Sequence, residues 1–221
     1  MERYEKMIIP DNIISKKLNN VFFIIGGSCS GKTTSAKYLN KKYGMYHYST
    51  DNIRKVYYET ASIDYQPTLC RKINDFYDLN INEVIEYETN VIKEVTPMII
   101  TDLIKLSGKY EKIICEGVYA ILIAPLISYN KIIHLSTSNE IIKNDFFTRP
   151  LQLQILENIN NRIDISDSEK ESRINHRIDM ACGVISKIDE IKNLNIKQYY
   201  RNEGSTINEM LNIIESHFGL I

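Results

Sequence analysis

"VFFIIGGSCSGKTTSAKYLNKKYG", residues 21–44, is the stretch whose reading decides the fold. Its first five residues, Val21 to Ile25, are β-favouring and apolar, and they predict a buried strand. Gly26, four intervening residues, Gly31, Lys32 and Thr33 then satisfy the spacing of a phosphate-binding loop, whose backbone N–H groups curl around a polyphosphate. Glycine is required there wherever the chain turns tightly or a side chain would block the phosphate. Ala36, Leu39 and Tyr43 follow at helical spacing and Gly44 stops the run, so a helix starting near Thr33 would aim its positive end at the anion. A glycine-rich turn that binds nothing is the alternative, and the flanking strand and helix patterns favour the loop.

The expected nucleotide contacts are Gly26, Gly27, Ser28, Cys29, Ser30, Gly31, Lys32, Thr33 and Thr34. Lys32 is expected to reach the β and γ phosphates and act in catalysis, and Thr33 to hold Mg²⁺. Cys29, inside the loop and near a lysine and a helix start, is expected to have a lowered thiol pKa. A small loop-filling role is the alternative for it.

Other features narrow the class. The chain has 221 residues, enough for one domain with a substantial core, and a net charge of −1 that gives no general attraction to nucleic acid or anionic membrane. The longest mainly apolar stretch, "GVYAILIAPLI", falls well short of the ~20 residues a membrane-spanning helix needs. The N-terminus has acidic residues and only a short apolar run, unlike a secretory signal, so a cytoplasmic protein is expected. Cys29, Cys70, Cys115 and Cys182 show neither metal-ligand nor disulfide spacing. His47, His134, His176 and His217 lack ligand or triad spacing, and structural roles are expected of them.

Strand-like runs recur at 21–25, 45–49, 112–116, 131–136 and 196–200, with helical patterns between them. That alternation predicts an α/β fold with a parallel sheet covered on both faces. Ligands of such sheets lie at the carboxyl ends of the strands, so the residues closing each strand are candidates for chemistry. The stretch of about sixty residues between the second and third strands is too long for one crossover and predicts a helical substrate insert, about 61–108. It includes a long helix, expected to bend at Pro97 and to stop at Gly108. Residues 148–170 have weak periodicity and are expected to form a lid. Residues 1–221 are thus expected to form a single domain. Thr206 and Glu209 predict a capping box on the last helix.

Asp51 closes the second strand beside the loop, where a carboxylate can orient or deprotonate an attacking hydroxyl. Its alternative role is an N-cap. Arg54, one turn on, suits an anionic group of the acceptor. Glu116 closes the third strand, where it can hold a magnesium-bound water or the acceptor, and Gly117 permits close approach of the chain. Arg149 is the first candidate for a lid arginine that stabilises a transferring phosphoryl group, with Arg162, Arg173 and Arg177 weaker candidates. Asp102 is expected to be a solvated residue of the long helix. Gly204 and Ser205 are weak candidates for a base contact. "SKID", residues 186–189, superficially matches a guanine-reading motif but falls within a helical pattern.

"IIGGSCSGKTT", "YSTDNIRKV" and "IICEGVY", in this order, resemble the P-loop small-molecule kinases of the adenylate kinase and shikimate kinase type. Within that group they are most similar to 2-phosphoglycerate kinase. The resemblance covers roughly residues 20–60 and 111–215. It implies a P-loop NTPase three-layer sandwich with a five-stranded parallel sheet in the order 2-3-1-4-5, ATP and Mg²⁺ as cofactors, and a lid bearing arginines. By position it gives Lys32 and Thr33 nucleotide roles, Asp51 and Arg54 acceptor roles, and Arg149 a lid role.

The implied activity is transfer of the γ-phosphoryl group of ATP to a hydroxyl of a small molecule, by a monomer or homodimer. Residues 52–96 carry five basic and eight acidic side chains, a balance that disfavours phosphoglycerate and favours a neutral or cationic alcohol. Tyr57, Tyr58, Tyr65, Tyr77 and Tyr87 are compatible with a flat or sugar-like acceptor, helix core being the alternative. A polynucleotide 5′-hydroxyl kinase, which requires a basic groove, and a non-catalytic or toxin-like ATP-binding module are the other readings.

Overall fold

A computed structural model describes residues 9–71, 79–186 and 195–221. Tyr77, the charged residues Lys72, Asp75 and Asp78 of the insert, and residues 187–189 of the "SKID" segment lie outside the described residues. Five strands, β1 (Val21–Gly26), β2 (Tyr46–Ser49), β3 (Ile113–Glu116), β4 (Ile132–Thr137) and β5 (Lys197–Arg201), form one parallel sheet in the order β2-β3-β1-β4-β5. This order, with the glycine-rich loop leaving the central strand, is the P-loop NTPase fold.

All of β1 is buried because it is the middle strand and both faces of the sheet are covered. Its alternate side chains feed two cores. Phe23 and Ile25 pack with α1 (Asp11–Lys17) and the long α5 (Ile81–Ser107), which runs unbroken through Pro97. Phe22 and Ile24 pack with α2 (Lys32–Tyr43) and the last helix of the chain (Ile207–His217). Register then sets the site. Ile24 pairs with Glu116, Ser49 pairs with Glu116, and Gly26 pairs with Leu135, so these strands end at one edge.

Between β2 and β3 the chain forms α3 (Thr50–Thr60), the short α4 (Pro67–Cys70) and α5, and then 3₁₀ turns over Val118–Leu126. Asn80 caps α5 with a full capping box to Glu83. Beyond β4 come α6 (Asn139–Asp145), a 3₁₀ turn at Phe146–Thr148, α7 (Pro150–Asn160) and α8 (Asp167–Ser186). The segment 148–170, of weak periodicity in the sequence, is largely helical, with Pro150 supplying a favourable first helical position. The last helix is α9, and Thr206 caps it by accepting from the Glu209 N–H. No helix among the described residues is long and apolar enough to cross a membrane.

Candidate functional site

The loop from Gly26 to Gly31 depends on backbone conformations that side chains resist. Gly26 has φ +148°, and a Cβ there would stand 2.0 Å from the Leu135 carbonyl oxygen of the neighbouring strand. Ser30 Oγ donates to the Gly27 carbonyl at 2.9 Å, and Lys32 Nζ donates to the same oxygen at 2.5 Å. Lys32 is buried, and loss of hydration lowers its ammonium pKa, against which the charges of Asp51 and Glu116 act.

Two cavities meet at this loop. The larger, about 490 Å³, takes Gly27 and Ser28 from the loop, Asp51, Asn52 and Arg54 from α3, Glu88 from α5 and Tyr119 after β3. Phe146, Gln152, Arg177 and Met180 close it from the far side. The smaller, about 360 Å³, takes Cys29 to Thr34 from the loop and α2, together with Asp145, Thr148 and Arg201. Lys32 and Arg149 line both. Arg149 reaches this position because it stands at the N-terminal boundary of α7, directly after the turn that follows α6.

Glu116 is fully buried at the edge of β3. The Thr33 hydroxyl approaches both of its carboxylate oxygens at 3.3 Å, and His47 Nε2 lies 3.5 Å from Oε1. Burial pushes this carboxyl up, but the His47 and Ser49 side chains and the charge of Lys32 outweigh it, and the net shift is downward. Thr33 and Glu116 thus present a hydroxyl and an ionised carboxylate side by side, hard oxygen donors of the kind Mg²⁺ takes.

Ser49 occupies the N-cap of α3, so Asp51 lies in the first turn rather than at the capping position. Asp51 keeps access to solvent in the larger cavity. Desolvation by the cavity walls nevertheless raises its carboxyl above the usual range, with Lys32 opposing and Glu116 reinforcing. Gly117 has φ +134°, and a Cβ on it would stand 1.9 Å from Thr50 Oγ1, which is why β3 can pass so close to the start of α3.

Several expectations change. Cys29 adopts φ +58°, and its thiol is raised rather than lowered: burial outweighs the nearby Arg149 and Lys32 charges. Among the four candidate lid arginines, Arg149 and Arg177 reach the cavities; Arg162 and Arg173 line neither and bind the neighbouring acids Asp164 and Glu169. Asp102 is no solvated surface acid, since it accepts hydrogen bonds from Tyr48 at 2.9 Å and Tyr57 at 2.7 Å. Gly204 and Ser205 sit in a turn closed on Asn202 and line neither cavity.

Arg201 escaped the sequence reading. It closes β5, donates to the Cys29 carbonyl at 2.8 Å and lies 3.7 Å from Asp145. The logic that singled out Asp51 and Glu116 at strand ends would have found it.

No family model matches the chain, and no curated protein matches it. Among solved structures, it is similar to shikimate kinase from Acinetobacter baumannii in complex with shikimate, with TM-score 0.43 and 12% identity over 93% of this chain and 96% of that one. A sugar kinase from a Janibacter species gives TM-score 0.39 and 13% identity, over 90% of this chain and 94% of that one. Dephospho-CoA kinase from Campylobacter jejuni gives TM-score 0.38 and 16% identity, over 90% and 97% respectively. At these TM-scores and identities the likenesses carry no argument about this chain, whose fold rests on its own strand order.

Proposed function

We propose that this protein is an ATP-dependent phosphotransferase that moves the γ-phosphoryl group to a hydroxyl of a small molecule. The observation that carries this reading is the common wall of the two cavities, where Lys32 and Arg149 face both. A group that leaves one chamber and enters the other passes those two cations, and a phosphoryl group in transit carries negative charge on its equatorial oxygens. The smaller cavity, built from the P-loop backbone and the start of α2, takes the polyphosphate. The larger takes the acceptor, with α3 and the insert helix α5 on one side and α7 with the second half of α8 as its cover.

In this reading Asp51 accepts the proton of the attacking hydroxyl. The hydroxyl oxygen bonds to the γ phosphorus as the bond from that phosphorus to the β–γ bridging oxygen breaks, giving a phosphate monoester and a nucleoside diphosphate. Lys32 and Arg149 hold the charge that builds on the oxygens between them. Thr33 and Glu116 would hold Mg²⁺, which supplies neutralisation of phosphate charge when bound. The segments around Asp51 and Glu116, which resemble those of 2-phosphoglycerate kinase, supply the acceptor side of the site.

The test is incubation with ATP, Mg²⁺ and a metabolite extract, followed by mass spectrometry for species that gain a phosphate. Lys32→Ala and Asp51→Asn are expected to abolish the gain. Failure of calorimetry to detect any binding of Mg-ATP would overturn the reading.

A further inference from the structure

The acceptor half of the larger cavity contains an arginine that is already engaged. Arg54 Nε and Nη2 donate to the Tyr58 hydroxyl at 2.9 and 2.6 Å, and Nη1 donates to Tyr119. Nη2 also lies 3.4 Å from Glu88 Oε1, while the Tyr119 hydroxyl donates to Glu88 Oε2 at 3.3 Å. The two tyrosine rings flank the guanidinium, with centroids 5.2 and 5.1 Å from its carbon. Three elements distant in the chain, α3, α5 and the turns after β3, meet at this one group.

We propose, resting on the phosphotransferase reading above, that this arrangement selects an uncharged polyhydroxy acceptor and rejects phosphorylated or carboxylated ones, with Glu88 setting the choice. An anion seeking Arg54 must break hydrogen bonds to two tyrosines and settle beside the Glu88 carboxylate, which repels it. The charge balance agrees. With Lys32 and Arg149 assigned to the transferring phosphoryl group, the remaining charged lining residues are Arg54 and Arg177 against Asp51 and Glu88, which cancel. Asn52 and Gln152 add uncharged hydrogen-bonding groups, and Phe146 and Met180 add apolar wall against which the C–H face of a sugar ring packs.

Arg54 is therefore a positioning residue: it holds Tyr119 and Glu88 in place instead of binding an acceptor anion. The distribution of charge along the sequence agrees in sign, because residues 52–96 are acidic, but only the pairing shows that Arg54 is occupied by that acidity.

The experiment is calorimetry on the full chain, first with a non-hydrolysable ATP analogue and Mg²⁺, then with inorganic phosphate and with glycerate titrated into the analogue-loaded protein. The wild type is expected to bind neither anion in the acceptor half. Glu88→Gln is expected to bind both, at least roughly tenfold more tightly than the weakest binding the titration detects, since removing one charge beside a cation frees it for another anion. If Glu88→Gln fails to fold, Tyr58→Phe releases two Arg54 N–H groups at the cavity rim and is expected to shift anion binding in the same direction. In parallel, the species that gain phosphate from ATP in a metabolite extract are expected to be uncharged before transfer.

Wild-type binding of either anion that is lost in Arg54→Ala, unchanged anion affinity in the variants, or transfer to acids alone would overturn the proposal. Absence of analogue binding would instead overturn the kinase reading, and it is read before any acceptor is added.

Discussion

At the scale of single residues, the site is governed by how burial and neighbouring charge set protonation. In its proposed role as general base Asp51 needs its carboxylate form to take a proton, and its pKa lies above the ordinary carboxylate value. As pH falls through that raised value the base is lost, so the acidic limb of kcat/KM is expected above the usual carboxylate range. Asp51→Asn should remove the limb and lower kcat by roughly 10²- to 10⁴-fold, with nucleotide affinity largely retained; a pH–rate profile and calorimetry check both. Reading strand ends led directly to Asp51 and Glu116, because a parallel sheet collects ligands there. Glu88 and Tyr119 were not legible in this way: they belong to other elements and matter only through Arg54.

At the scale of elements, β4 carries a group that is costly to charge. His134 is buried, neither ring nitrogen has a hydrogen-bond partner among the described residues, and burial, with a smaller contribution from Lys32, lowers its pKa to about 4. The unfolded chain protonates it near the ordinary value of about 6.5. Between these values the unfolded state binds more protons, so stability is retained above about pH 6.5 and falls as pH drops toward 4. The loss is of order 3 kcal/mol. Urea unfolding from pH 7 to pH 4 should show this slope, and His134→Phe should reduce it.

The junction of β3 with α3 offers a second test at this scale. Gly117→Ala places a Cβ against Thr50 at a strained φ and is expected to cost about 2–5 kcal/mol. Urea denaturation measures this cost. The sequence marked Gly117 as a place of close approach, and the register of β1, β2 and β3 shows what approaches it.

At the scale of the whole molecule, two cores on opposite faces of one sheet hold the two cavities in fixed relation. Phe23 lies at the centre of the larger core and is fully buried. Phe23→Ala is expected to destabilise the protein by about 3–5 kcal/mol, measured by denaturant unfolding. Because the sheet edge that carries Gly26 and Glu116 grows from the same strands, the loss of stability should be accompanied by weaker nucleotide binding at temperatures where the wild type still binds.

The sequence by itself determined the strand–loop–helix unit of residues 21–44, the parallel α/β class, and two carboxylates at the carboxyl edge of the sheet, Glu116 ending β3 and Asp51 just beyond β2. Each of these follows from local spacing, because alternation, helical period and glycine placement act over a few residues. Only the tertiary structure decided that Arg149 joins Lys32 between the cavities, that Arg201 holds the loop carbonyl, and that Arg54 is paired rather than available. Those contacts join residues far apart in the chain, and packing and strand register, not local pattern, bring them within reach of one another.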